Sequence, residues 1–145
     1  MKHIIFVCTG NTCRSPMAEL ILKNKLKLAG IKGVRVSSAG ISATTGTKIS
    51  ANSQKALKDL GIKSYSFRSK FLTPEMCKKA DYVICMTDMH KRILAEYKNV
   101  YTIAELTGLG DVPDPYGRDL MTYVRVSHLL IDACEIIYEK LIEQN

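Results

Sequence analysis

Short runs of apolar, β-branched residues alternate along this chain with longer stretches of helical periodicity. His3 to Cys8 (HIIFVC), Val34 to Ser38, Asp81 to Met86 (DYVICM) and Val100 to Ile103 each read as a buried strand. Pro16 to Ala29 reads as a helix, with proline suited to its first turn and Gly30 just past its end. Ser50 to Leu60 reads as a second, closed by Gly61. Thr73-Pro74-Glu75 starts a third, with a capping hydroxyl, a proline at the first position and an acid in the first turn. Another helix follows the third strand through about Glu96, and a last one covers Asp119 to Ile142. In that last helix Val126, Leu129, Leu130, Ala133, Ile137 and Leu141 recur at helical spacing. A Gly- and Pro-bearing loop from about Glu105 to Arg118 precedes it. Such alternation predicts an α/β fold: a single three-layer domain over residues 1–145, its four-stranded parallel sheet covered by helices on both faces. Right-handed crossovers then bring the loops that follow the strands to one sheet edge, where ligands bind in such folds.

The loop after the first strand carries the most chemistry. Cys8-Thr9-Gly10-Asn11-Thr12-Cys13-Arg14-Ser15 joins a buried strand to a helix, so its N–H groups converge at the positive end of a helix dipole. That is an anion site before any side chain is counted. Gly10 and Asn11 both tolerate the left-handed backbone that a loop wrapped around a phosphate requires. Five residues separate Cys8 from Arg14, which lets both ends face one anion. The Arg14 guanidinium offers a planar fork for two phosphoryl oxygens, and Ser15 can hold the Cys8 sulfur by a hydrogen bond. A thiolate at a phosphate site is a nucleophile for phosphorus. Attack on phosphorus also needs an acid to protonate the leaving group, from another loop at the same edge. Asp111, Asp114 and Asp119 are available. Asp114 is favoured because Pro115 stiffens its backbone and Tyr116 can wall a substrate; Asp119 reads as a helix cap and Asp111 stays a competitor.

Composition narrows the setting. The chain has 145 residues, five cysteines without paired spacing and no apolar run long enough to span a membrane. These features predict a cytoplasmic protein without a membrane partner. The chain shows no aromatic-and-basic stacking surface and no Walker loop, so no nucleic-acid partner is expected, and a monomer or weak homodimer is the working expectation. The net charge of +7 suits anionic partners, although Lys23, Lys25, Lys27, Lys78, Lys79, Lys91 and Arg92 form no block and read as solvating helix faces. His3, His90 and His128 lie far apart, without metal-ligand spacing, and read as surface or capping residues. No metal or cofactor is expected.

VCTGNTCRSPMAE from Val7 to Glu19 resembles the signature of the low-molecular-weight protein tyrosine phosphatases, and within them the bacterial protein-arginine phosphatase branch. SSAG at Ser37 to Gly40, ADYVICM at Ala80 to Met86 and DPYG at Asp114 to Gly117 extend the resemblance over nearly the whole chain. It implies a cysteine-dependent hydrolase of phosphorylated proteins that works through a phosphocysteine intermediate without cofactor. Cys8 would be its nucleophile, Arg14 its phosphate clamp and Asp114 its general acid. Thr9, Gly10, Asn11, Thr12, Cys13, Ser15 and Ser38 would bind or support the phosphate, and Tyr116 would wall the substrate.

Thr12 stands where tyrosine-directed relatives commonly carry a larger aliphatic residue, and Gly117 replaces an aromatic often found after Asp-Pro-Tyr. Both changes favour phosphoarginine, with phosphotyrosine as the alternative substrate. Relatives usually support the loop with a histidine where Phe67 stands here, which puts that support in doubt. A thiol-coupled arsenate reductase is the rival class. It needs two further, closely spaced cysteines, whereas Cys77, Cys85 and Cys134 are scattered. Cys13 could form a reversible disulfide with Cys8 and shield the nucleophile from further oxidation.

Overall fold

The computed structural model describes residues 1–143. In chain order its elements are β1 (Lys2–Cys8), α1 (Arg14–Leu28), β2 (Val34–Gly40), α2 (Ala51–Asp59), α3 (Pro74–Lys79), β3 (Tyr82–Cys85), α4 (Asp88–Ile93), β4 (Val100–Thr102), α5 (Ile103–Thr107) and α6 (Leu120–Ile137), followed by a π-helical turn over Tyr138–Glu143. The four strands form one parallel sheet in the order β2-β1-β3-β4. β1 is central, and its last residue, Cys8, lies beside Gly40 of β2.

Side-chain alternation along β1 builds the layers. Ile4, Phe6 and Cys8 belong to a core shared with Met17 and Leu22 of α1, Leu57 of α2 and Leu130 of α6. Ile5 and Val7 face the other way, into a smaller core with Cys77 of α3, Val83, Cys85 and Leu94. The expected three layers are therefore present, with α1, α2 and α6 on one face and α3 and α4 on the other.

The expected elements are present with adjusted ends. The helix after β3 stops at Ile93 rather than near Glu96. The segment from Glu105, expected as loop, opens within α5, whose first turn is fixed by reciprocal bonds between Thr102 and Glu105. The last helix leaves α-geometry after Ile137 and continues as the π-helical turn. Several cations expected only to solvate helix faces are paired: Lys23 with Glu19, Lys25 with Glu135, Lys91 with Glu105 and Arg92 with Asp88.

Candidate active site

All the chemistry gathers at the C-terminal edge of the sheet. Residues 9–13 turn from β1 into α1, and Asn11 takes the left-handed conformation (φ 55°) that closes the turn. Gly10 does not, which corrects the expectation that both residues would. A Cβ on Gly10 would meet only the Thr12 hydroxyl, at 3.8 Å. The glycine that the loop requires is Gly40, at the end of β2. A Cβ there would lie 2.5 Å from the Thr9 carbonyl oxygen and 2.9 Å from the Asn11 nitrogen. The missing side chain lets β2 press against the loop, where Ile41 and Ser42 donate N–H bonds to the Cys8 and Thr9 carbonyls at 3.1 and 2.9 Å.

α1 differs from its neighbours at its start. Ser50, Thr73, Thr87, Thr102 and Asp119 each cap a helix through a side-chain oxygen. At α1 the capping position is Cys13, whose side chain accepts nothing from the helix N–H groups, and the first turn holds no acid. The first N–H groups of a helix need acceptors. Here the protein supplies no capping group, so the positive end of the dipole is kept for an anion.

A cavity of about 220 Å³ stands over this helix start, lined by Cys8, Thr9, Gly10, Asn11, Thr12, Cys13, Arg14, Asp114 and Tyr116. Cys8 is buried within the protein but lines the cavity floor. Its sulfur accepts from the Asn11 N–H at 3.3 Å and pairs with the Ser15 hydroxyl at 2.8 Å. Ser15 and Ser38 lie behind the lining, joined by one amide: Asn11 Nδ2 donates to Ser15 Oγ at 2.8 Å and to Ser38 Oγ at 2.9 Å. Ser38 donates onward to Glu19 Oε1 at 2.6 Å, and Lys23 donates to the other carboxylate oxygen at 2.6 Å. A carboxylate only accepts. Glu19 therefore fixes the direction of the chain, so that Ser15 accepts from Asn11 and has its own proton left for the Cys8 sulfur.

The Arg14 guanidinium is buried at the cavity rim, donating from Nη1 to the Val112 carbonyl at 3.2 Å. Its Nη2 lies 3.7 Å from Asp114 Oδ2. The segment carrying Asp114 is pinned on either side. Val112 is fully buried and donates to the Met86 carbonyl at 2.9 Å, and Pro115 is buried as well. Between these anchors Asp114 stays half-exposed, its Oδ1 accepting the Tyr116 N–H at 3.1 Å. The other two acids have structural partners. Asp111 accepts from the Asp88 N–H at the start of α4, and Asp119 caps α6. Only Asp114 lines the cavity.

His90 overturns its reading as a surface or capping residue. It is fully buried beneath the loop, with Nε2 2.9 Å from Thr9 Oγ1 and Nδ1 2.9 Å from Thr87 Oγ1. Burial, reinforced by the nearby Arg14 charge, pushes its pKa down to about 4, so the imidazole is neutral. Phe67 is a core residue, and the loop support doubted on its account comes from elsewhere. His90 holds Thr9, and the Lys70 N–H donates to Asn11 Oδ1 at 2.8 Å. Gly40, Glu19 and His90 are the residues that sequence reasoning missed. The available signals were a glycine at a strand end, an acid one turn into α1, and a histidine three residues after a capping threonine.

Of the remaining thiols, Cys77 and Cys85 share the smaller core and burial raises both pKa values. Cys85 and Cys134 belong to separate cores on opposite sheet faces, and burial raises each pKa to about 12. All five cysteines are free. Cys13 is buried against Ser50 Oγ (3.5 Å) and the Tyr123 hydroxyl (3.7 Å). Among the described residues no group of three or more His, Cys, Asp or Glu side chains could hold a metal ion. No helix among them is long and apolar enough to cross a membrane.

Comparison with known proteins is consistent with this geometry. The family model described as low molecular weight phosphotyrosine protein phosphatase matches residues 3–145. A protein-arginine-phosphatase of Geobacillus stearothermophilus is 36% identical over 96% of this chain and 95% of its own. One from Bacillus subtilis (strain 168) is 42% identical over 83% of each. A solved structure of a YwlE arginine phosphatase mutant with a phosphorylated active-site serine superposes with a TM-score of 0.92. It is 37% identical, covering 99% of this chain and 97% of that one.

Proposed function

This chain belongs to the low molecular weight phosphotyrosine protein phosphatase family of hydrolases, and on that premise we propose that it removes phosphate from arginine side chains of proteins. The observation that carries the reading is one cavity over an uncapped helix start that holds a sulfur with two hydrogen-bond partners, a guanidinium and a single acid.

In the first step the Cys8 thiolate attacks phosphorus, and an S–P bond forms as the P–N bond to the guanidine breaks. Asp114 gives its proton to the departing nitrogen, so the arginine side chain leaves as its stable guanidinium. In the second step Asp114, now a carboxylate, takes a proton from water. The water oxygen bonds to phosphorus, the S–P bond breaks, and inorganic phosphate leaves with the thiolate restored. Arg14 and the α1 N–H groups hold the equatorial oxygens throughout, where most of the stabilisation of phosphoryl transfer arises.

Thr12 supports arginine over tyrosine. It lines the cavity and is half-buried, and its short side chain leaves room for a branched polar group that Asp114 can pair with. Two relatives that bear the protein-arginine-phosphatase name, at 36% and 42% identity, point the same way. Phosphotyrosine is the second reading, favoured by Tyr116, which stands exposed at the cavity mouth as an aromatic wall. Assays on peptides carrying each modification decide between them. We expect faster turnover of phosphoarginine, and a shift toward phosphotyrosine in Thr12→Ile. A strong phosphotyrosine preference that Thr12→Ile leaves unaltered refutes the arginine reading. A cytoplasmic location belongs to the same proposal, supported by five unpaired thiols.

A further inference from the structure

Two adjoining clefts, one beside α2 and one beside α1, make a basic band next to the phosphate loop. The larger, about 630 Å³, is lined by Lys55, Lys58 and Lys63, together with Gln54, Ile62 and Tyr65. The smaller, about 220 Å³, carries Lys23, Arg68 and Lys70. Ser64 lines both, so the two adjoin. Glu19 is the one acid in either lining, and Lys23 neutralises it at 2.6 Å. The whole chain holds 21 basic and 14 acidic residues, so six cations to one paired acid is a local excess. Among the described residues Lys55, Lys58 and Lys63 make no ion pair.

Scattered surface lysines ordinarily need no explanation beyond solvation. These differ in lining a concavity that adjoins the active site. Ala51 lines the larger cleft, and its neighbour Ser50 donates its N–H to the Thr12 carbonyl at 2.9 Å. Lys70 lines the smaller cleft, and its N–H donates to the Asn11 side chain at 2.8 Å. Tyr65, largely exposed, adds an aromatic wall for peptide backbone to pack on.

From this arrangement we infer that the band docks an acidic stretch of the protein substrate, a few residues from the phosphorylated one. The inference rests on the protein-phosphatase reading and adds sequence context to it. A phosphorylated side chain entering the cavity must carry its flanking residues past the loop, and the band is the surface they meet. Nucleic acid would supply similar charge, but it would have no reason to lie beside this cavity. Docking of this kind speeds encounter and strengthens ground-state and transition-state binding alike. It therefore lowers KM and leaves kcat unchanged.

The test compares a phosphopeptide flanked on both sides by Glu and Asp with the same peptide flanked by Gln and Asn, and uses a small aryl phosphate as control. Fluorescence anisotropy of the labelled acidic peptide without phosphate measures docking independently of chemistry. For the parent we expect a lower KM on the acidic peptide, an advantage that shrinks as salt rises. The triple variants K55Q/K58Q/K63Q and K55E/K58E/K63E should raise that KM, by roughly tenfold for the reversal. They should weaken the anisotropy signal to match and leave kcat and aryl phosphate turnover unchanged. Equal KM for the two peptides on the parent overturns the inference. So does unchanged anisotropy in both triple variants, or tighter binding of a single-stranded oligonucleotide than of the acidic peptide. Failure of the parent to turn over the aryl phosphate would count against the phosphatase reading, while the anisotropy measurement would still decide the docking.

Discussion

His90 gives the sharpest test of how the phosphate loop is supported. The imidazole is fully buried between Thr9 and Thr87, and the charged groups that act on it are Arg14, Asp111 and Asp114. Burial first, and Arg14 second, lower its pKa from 6.5 to about 4, against the smaller opposing pull of the two aspartates. In the unfolded chain the ring takes up a proton as pH falls through about 6.5, whereas the folded protein refuses it until about 4. Between those values the unfolded state binds more protons, so stability drops as pH falls across this window and not above it. At ~1.4 kcal/mol per pH unit, the full window is worth up to ~3 kcal/mol. Domains have only about 5–15 kcal/mol in total, so this loss is large. The perturbation is His90→Gln, which cannot titrate, and the assay is urea unfolding of parent and variant at pH 7.5 and pH 4.5. Other carboxylates titrate in both proteins and cancel in the double difference, which should approach that ~3 kcal/mol. The variant should also raise KM, because Thr9 lines the cavity and loses its tether. If both proteins lose the same stability between the two pH values, His90 is not a buried neutral group and the reasoning fails.

Three further outcomes follow from the site. Asp114→Ala should lower kcat by about 10²–10⁴-fold on a substrate with a poor leaving group, whereas Asp111→Ala, which loses a contact to the start of α4 and a minor charge effect on His90, should keep near-parental kcat; steady-state kinetics with the reverse ranking would reassign the acid. Gly40→Ala forces a methyl group onto the Thr9 carbonyl and the Asn11 nitrogen, so denaturant titration should show a loss of about 1–3 kcal/mol and kinetics a matching loss of activity. Unchanged stability there would mean that β2 does not press on the loop. If the Cys8 sulfenic acid condenses with the Cys13 thiol to a disulfide and water, thiol should restore activity after peroxide treatment more fully in the parent than in Cys13→Ser; equal recovery would remove the protective role.

What the sequence revealed and what it hid have separate physical reasons. β1, its loop and α1 were legible because β-branched residues, a turn rich in Gly and Asn, and a proline punctuate the chain locally. α5 was not, because five residues are too few to display a helical period, and its only mark is the Thr102–Glu105 capping pair. The roles proposed for Cys8, Arg14 and Asp114 follow from reactivity, whereas those of Gly40, Glu19 and His90 depend on contacts between distant segments. Gly40 matters because β2 ends against Thr9 and Asn11, far away in sequence. Glu19 looks like a solvated helix acid until Ser38 is seen to bond it from β2. His90 lies beneath the loop because α4 follows β3 directly, and no periodicity announces that placement. Neighbouring residues already favoured Asp114 and marked Asp119 as a helix cap, but Asp111 stayed a competitor until the structure placed it against the start of α4 and Asp114 alone of the three in the cavity.

The central claim is that phosphorus passes through the sulfur of Cys8. Single-turnover reactions with a phosphorylated peptide, quenched over the time course and mapped by mass spectrometry, test it directly. The account predicts one phosphoryl group on the peptide containing Cys8, rising and then decaying as inorganic phosphate appears, and none in Cys8→Ala. Turnover with no adduct at any quench time, or an adduct on another residue such as Cys13, would contradict it.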